Sequence, residues 1–258
     1  MSEPSVGFVG GGRITRITLA AWTRANQPLS GVVVTDVDAG VLERLRTEFP
    51  AIAVSQDNRR AAHQDVVLLA VHPPVFPAVL GEIAGSLPQS AILVSLAPRW
   101  TMSKICGALG GFNRLARIIP NAPSIVNKGF NPVSFSDQLL PADRERVLSL
   151  LAPLGSCPEV PESTLEAYAV LSAMGPTYLW YQLYQLVDLG CSFGMGREDA
   201  LRAVTEMAAG AASTMTTAQL SPEAVMDLIP VKPLADIEPT VKESYARLLT
   251  ALHAKLKA

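Results

Sequence analysis

Short β-branched runs alternate with amphipathic stretches through the first half of the chain. Val6–Val9, Val32–Thr35, Ile52–Val54, Val66–Val71, Ile92–Ser95 and Leu115–Ile119 are each brief, rich in Val, Ile or Leu, and bounded by Gly, Pro or polar residues. That is the signature of strands. Between them the spacing turns helical: Ile14, Ile17, Thr18, Ala21 and Trp22 share one face, and Val41, Leu42, Leu45 and Phe49 another. Strands apolar on both faces, alternating with helices, predict a parallel sheet covered on both sides. An extended stretch at Gly129–Phe135 and a helix near Pro141–Leu151 complete this domain.

Past the proline-punctuated segment Cys157-Pro158-Glu159-Val160-Pro161 the pattern becomes helical, with Thr164–Gly190, Arg197–Ala218 and Glu238–Leu256 and no convincing strand. Thr164 offers an N-terminal cap and Glu166 a carboxylate for the positive first turn. The chain therefore reads as α/β, a parallel-sheet domain over residues 1–160 followed by an all-helical domain over 161–258. No charged residue lies between Glu166 and Asp188, a length close to a membrane span. Its Ser172, Thr177, Gln182, Gln185, four tyrosines and the pair Gly175-Pro176 instead suit a helix covered by other protein. So small a helical domain cannot hide Leu179, Trp180, Tyr181, Leu183 and Tyr184 by itself, and a homodimer through the C-terminal helices is expected.

Composition narrows the function classes. The 258 residues are 49% hydrophobic and 17% charged, with net charge −2 and no basic run. A nucleic-acid partner would need clustered Lys and Arg to neutralise phosphates, so none is expected. Cys106, Cys157 and Cys191 are far apart and show no CxxC spacing, so they read as core residues in a reducing compartment. The three histidines are equally scattered, and no metal site is expected. The opening MSEPSVGFVGGG lacks a basic stretch leading into a long apolar run, so cytoplasmic residence without a secretory signal is expected.

Gly7-Phe8-Val9-Gly10-Gly11-Gly12 follows one strand and opens the first helix. Gly10 permits the tight turn, and Gly12 has no side chain to block a dinucleotide pyrophosphate, which would face the free N–H groups of Arg13, Ile14 and their neighbours. This is a Rossmann-type fingerprint, imperfect because Thr15 stands at its third glycine place. The second strand ends in Asp36, about two dozen residues on, where a carboxylate grips the adenosine ribose. That carboxylate repels a 2′-phosphate and no arginine follows it immediately, so NAD is favoured over NADP. The alternatives are a structural turn without ligand and a solvated loop aspartate.

These residues, with others downstream, resemble the pyrroline-5-carboxylate reductase family nearly end to end. Gly7–Ile14 is similar to the family's GFIGxGNM, Leu69-Ala70-Val71-His72-Pro73 to LAVKP, Ile119-Pro120-Asn121-Ala122-Pro123 to MPNTP, and Ser172–Tyr178 to SGSGPAY. The resemblance implies reduction of a cyclic imine by a nicotinamide cofactor, in a dimer, with a proline-bent helix beside the nicotinamide. Two departures stand out. Met174 occupies the place of the family's second serine, and Ile229-Pro230-Val231-Lys232-Pro233-Leu234 that of its SPGGTT loop, which points away from pyrroline-5-carboxylate itself.

On the resemblance, Gly10, Gly11, Gly12, Arg13, Ile14, Asp36, Ala70, Val71, His72, Pro73, Ala97 and Asn121 hold the cofactor. Thr177 donates to the reacting nitrogen, and Met174, Pro176, Tyr178 and Lys232 face the substrate. Each has a plainer reading: Asn121 holds a proline-flanked turn, Thr177 or Tyr178 satisfies a helix carbonyl or a partner subunit, Lys232 sits on a solvated loop, His72 on the surface, Met174 in the core. An imine can arrive protonated, so no strong general acid is required. Ser172–Gln185 contains no Lys or His, which argues against a simple alcohol substrate. Two competing classes remain: a dinucleotide-binding regulatory protein without chemistry, and a deazaflavin-dependent NADP reductase.

Overall fold

The β-branched runs lie side by side in one sheet. The computed structural model describes residues 4–257, so the first three residues of the opening stretch lie outside it. Strands β1 (Val6–Val9), β2 (Val32–Thr35), β3 (Ala53–Ser55), β4 (Val66–Leu69), β5 (Ile92–Ser95) and β6 (Leu115–Ile118) pair in parallel. The expected stretch at Gly129–Phe135 breaks at Asn131-Pro132, where proline has no N–H to give a ladder. It yields β7 (Gly129–Phe130) and β8 (Val133–Phe135). Strand β8 closes the edge antiparallel to β6, giving the order β3-β2-β1-β4-β5-β6-β8. Strand β7 instead pairs with β9 (Gly155–Ser156) in a separate ribbon.

Helices cover both faces, as strands buried on both sides require. On one face α1 (Arg13–Arg24), α2 (Ala39–Glu48) and α6 (Pro141–Leu151) enclose Phe8, Trp22, Val34, Leu45 and Leu150. On the other, α3 (Asn58–Ala62), α4 (Phe76–Ile83) and α5 (Met102–Ala108) enclose Val67, Leu69, Phe76, Leu80 and Ile105. Trp22 is fully buried, and its indole N–H donates to the Leu150 carbonyl at 3.0 Å.

The chain forms two compact units. One runs to Met174 and takes in the chain from His253; the other is Gly175–Leu252. Strands cease near residue 160, yet the turns that follow belong to the sheet-bearing unit because Val160, Leu165, Ala169 and Ala173 pack with Ile119.

The helix expected over 164–190 is not continuous. A 3₁₀ turn at Glu162–Thr164 leads into α7 (Leu165–Tyr168), a π turn at Ala169–Ala173 and then α8 (Pro176–Ser192). Pro176 has no N–H for the ladder, and its ring would strike the carbonyl four residues back. The chain loosens by one residue, with the Met174 N–H reaching the Ala169 carbonyl at 3.1 Å. The Thr164 side chain does not cap this segment; its hydroxyl donates to the Pro161 carbonyl at 2.7 Å.

The helical unit adds α9 (Arg197–Thr217), α10 (Pro222–Asp227) and most of α11 (Glu238–Lys257). Gly190 of α8 faces Ala200 of α9, where an added Cβ would lie 3.0 Å from the alanine methyl. Leu179, Trp180, Tyr181 and Tyr184 stay exposed on this unit. Among the described residues no helix is long and apolar enough to cross a membrane.

Candidate functional site

The glycine turn assigns a different task to each glycine. Gly10 has φ +106°, and a Cβ there would lie 2.7 Å from the Ala70 carbonyl oxygen, so only glycine fits. Gly11 is buried against Val41 and Leu45 of α2 and gives its N–H to Asp36 Oδ2 at 2.8 Å. A Cβ on Gly12 would meet nothing within 4 Å. No side chain caps the first turn of α1, which leaves its N–H groups and positive dipole end open to an anion.

Thr15 is no misfit in this turn. It is fully buried, and its hydroxyl donates to the Gly10 carbonyl at 2.6 Å, bracing the loop from below. The close approach that a third glycine usually supplies falls instead to Gly7, where an added Cβ would run into the Ala61 carbonyl oxygen of α3.

Asp36 directly follows β2, half-buried, with both carboxylate oxygens engaged: Oδ2 by the Gly11 N–H and Oδ1 by the Asp38 N–H at 2.9 Å. It therefore ties the glycine turn to the β2 loop. A cleft of about 640 Å³ runs along the carboxyl ends of β2, β1, β4 and β5. It brings together Gly10, Gly12, Arg13, Ile14, Asp36, Ala70, Val71, His72, Pro73 and Ala97.

Gly11 and Asn121 do not line the cleft. The Asn121 side chain donates to the Ser172 carbonyl (3.3 Å) and accepts from the Phe130 N–H (3.1 Å), so it holds the turn in which it sits. The sequence reading missed the wall formed by Val37, Asn58, Val75, Val79 and Glu82. Asn58 accepts from the Thr35 hydroxyl and donates to Glu82 Oε2, both at 2.9 Å, so a carboxylate of α4 is held beside the end of β2. The helical spacing of Val75, Val79 and Glu82 was the available signal.

Such a cleft fits a dinucleotide. It offers an uncapped helix N-terminus, a glycine with open space where a Cβ would stand, and a carboxylate at the end of the second strand.

The remaining candidates lie elsewhere. Met174 ends the π turn of the sheet-bearing unit, half-buried. In the helical unit Pro176 opens α8, and Lys232 is exposed between α10 and α11. Thr177, Tyr178 and Tyr181 line an apolar groove of about 410 Å³ with Val241, Tyr245 and Leu248 of α11. Tyr178 and Tyr245 meet edge to face at 5.9 Å. Burial first, and then Tyr245, push the Tyr178 phenol above its usual pKa, so it holds its proton at neutral pH. Burial also pushes the Cys157 thiol up to about 11, which makes it no nucleophile. Among the described residues no cluster of three or more His, Cys, Asp or Glu is placed to hold a metal.

Comparison with known proteins converges on one family. Residues 5–99 match the model described as NADP oxidoreductase coenzyme F420-dependent, and residues 162–232 match pyrroline-5-carboxylate reductase dimerisation. The chain is 25% identical to pyrroline-5-carboxylate reductase of Escherichia coli, over 88% of this chain and 85% of that protein. It is 27% identical to pyrroline-5-carboxylate reductase 2 of Bos taurus, over 86% of this chain and 71% of the relative.

These matches support the pyrroline-5-carboxylate reductase family for this chain.

Its homologues indicate an NAD(P)-dependent oxidoreductase of the class acting on CH–NH donors. The fold agrees. The Plasmodium falciparum pyrroline carboxylate reductase, solved with NADP bound, superposes with a TM-score of 0.86 at 20% identity, covering 100% of this chain and 98% of that one. The Streptococcus pyogenes 1-pyrroline-5-carboxylate reductase gives 0.82 at 19% identity, with 98% of each covered.

Proposed function

We propose that this chain is a member of that family and reduces a cyclic imine with NADH, as a homodimer formed through its helical unit. The observation that carries the cofactor choice is the pair of carboxylates, Asp36 and Glu82, on the wall of the cleft beside β2. Two anions at the place of the adenosine ribose favour its hydroxyls over a 2′-phosphate. Bound NADH supplies the hydride. The chain supplies the uncapped turn of α1 for the pyrophosphate and the ends of β4 and β5 for the nicotinamide half.

Thr177 is proposed as the donor to the reacting nitrogen, with Met174, Pro176, Tyr178 and Lys232 toward the substrate. Methionine and the altered 229–234 stretch support an imine other than pyrroline-5-carboxylate. The exposed Leu179, Trp180, Tyr181 and Tyr184, within a segment matched by a dimerisation model, support the homodimer.

Calorimetric titration followed by a substrate panel tests the reading. NADH is expected to bind at least ~10-fold more tightly than NADPH, and Asp36→Ser to narrow that gap. Equal or tighter NADPH binding by the wild-type protein sinks the preference for NAD. Turnover is expected with cyclic imines. Tight NADH binding with no turnover of any imine or oxo acid would support a regulatory protein instead. The match of residues 5–99 to coenzyme F420-dependent NADP oxidoreductases makes an oxidised deazaflavin with NADPH a necessary further arm, in which no turnover is expected.

A further inference from the structure

Arg117 is fully buried in β6, an apolar strand. Its Nη1 donates to Glu162 Oε1 at 2.8 Å and its Nη2 to Glu166 Oε1 at 2.7 Å, while Nη2 also approaches the Ala97 carbonyl at 3.4 Å. The same two carboxylate oxygens accept backbone N–H groups from the segment after β5: Met102 at 2.7 Å to Glu162, and Arg99 at 3.1 Å to Glu166. Arg99 has φ +75°, a left-handed conformation that a non-glycine residue keeps only when its surroundings enforce it.

Stability alone does not account for this cluster. A buried ion pair is seldom a more stable filling than apolar side chains, and here the Arg117 Nε is buried with no partner. What the cluster does is fix one segment. Leu96, Ala97 and Pro98, immediately before Arg99, form the end of the cofactor cleft farthest from Asp36 in strand order.

We propose that Arg117, Glu162 and Glu166 are positioning residues, which hold the strained 96–102 segment in the shape that receives the nicotinamide end of the dinucleotide. This rests on the dinucleotide occupying the cleft as proposed above. The adenosine end is built from β2, α3 and α4 and does not depend on the cluster.

Glu166→Ala tests it, because Arg117 keeps Glu162 as a partner while the Arg99 N–H loses its acceptor. By calorimetry the variant is expected to bind NADH about tenfold more weakly and ADP-ribose, which lacks only the nicotinamide, within about twofold of wild type. Hydrogen exchange in the free protein should quicken in 96–102 and not in β1 or α1. Glu166→Gln retains an acceptor oxygen for Arg99 and should restore most of the NADH affinity. Should the alanine variant not fold, Glu162→Ala, on the more exposed arm, carries the same comparison. Equal losses for NADH and ADP-ribose, or unchanged NADH affinity, overturn the proposal. Failure of wild type to bind either ligand overturns the cleft assignment instead.

Discussion

Gly12→Val is expected to fold as the wild type does and to lose NADH affinity by ~100-fold or more, from two charge-assisted hydrogen bonds lost at about 1.5–3 kcal/mol each. Gly12 has φ −69°, which any residue adopts, and open space lies where its Cβ would stand. The new Cβ therefore meets no protein atom, and it projects to where the pyrophosphate must approach the first turn of α1. Thermal unfolding should fall by no more than about 4 °C, since Gly12 is the N-cap of α1 and valine is a poorer cap by about 1 kcal/mol. Gly10→Ala, with its positive φ and a carbonyl 2.7 Å from the new Cβ, should lower stability and binding together. A Gly12→Val protein that still binds NADH tightly would place the pyrophosphate elsewhere.

The contrast between these glycines shows what sequence could and could not convey. Strand–turn–helix context located the turn, because β-branched alternation and the 3.6-residue spacing of α1 are local properties of the chain. Which glycine faces ligand and which faces protein depends on what lies opposite: Ala70, Val41 and Leu45 come from other elements. The same holds for Asn121, whose partners at Phe130 and Ser172 are fixed only when three segments converge. The close approach of Gly7 to Ala61 is invisible in the sequence for that reason too. Thr164 and Glu166 mark the segment start, and Glu166 does stand in the first turn, but the Thr164 side chain is no cap, and Glu166 also binds Arg117, 49 residues away, which local spacing does not show. A lone arginine within the strand Leu115-Ala116-Arg117-Ile118 is the one local sign of a buried ion pair there.

Arg117→Met is expected to cost about 3–5 kcal/mol at pH 7 and to lower the melting temperature by on the order of 10 °C. The volume is nearly kept, so packing is not the main loss. The loss arises from carboxylates left without their cation, above all Glu166, whose side chain is only 9% exposed, against 28% for Glu162.

The pH dependence identifies this cause. Burial alone would raise the Glu166 pKa; the Arg117 hydrogen bond and charge, with the Arg99 N–H, overcome it and hold the carboxyl below its ordinary value. In wild type this contribution is therefore complete above the unfolded value of about 4.3, and is lost as pH falls through the lower folded pKa. Without Arg117 the sign reverses. Burial then dominates, the folded pKa rises above the unfolded one, and acid relieves the variant by neutralising the stranded charge. The gap in melting temperature between wild type and Arg117→Met should shrink steadily in scans from pH 7 to pH 4. A gap independent of pH would mean that Glu166 swings out to water once its partner is gone, and that the cluster does not hold the 96–102 segment by charge.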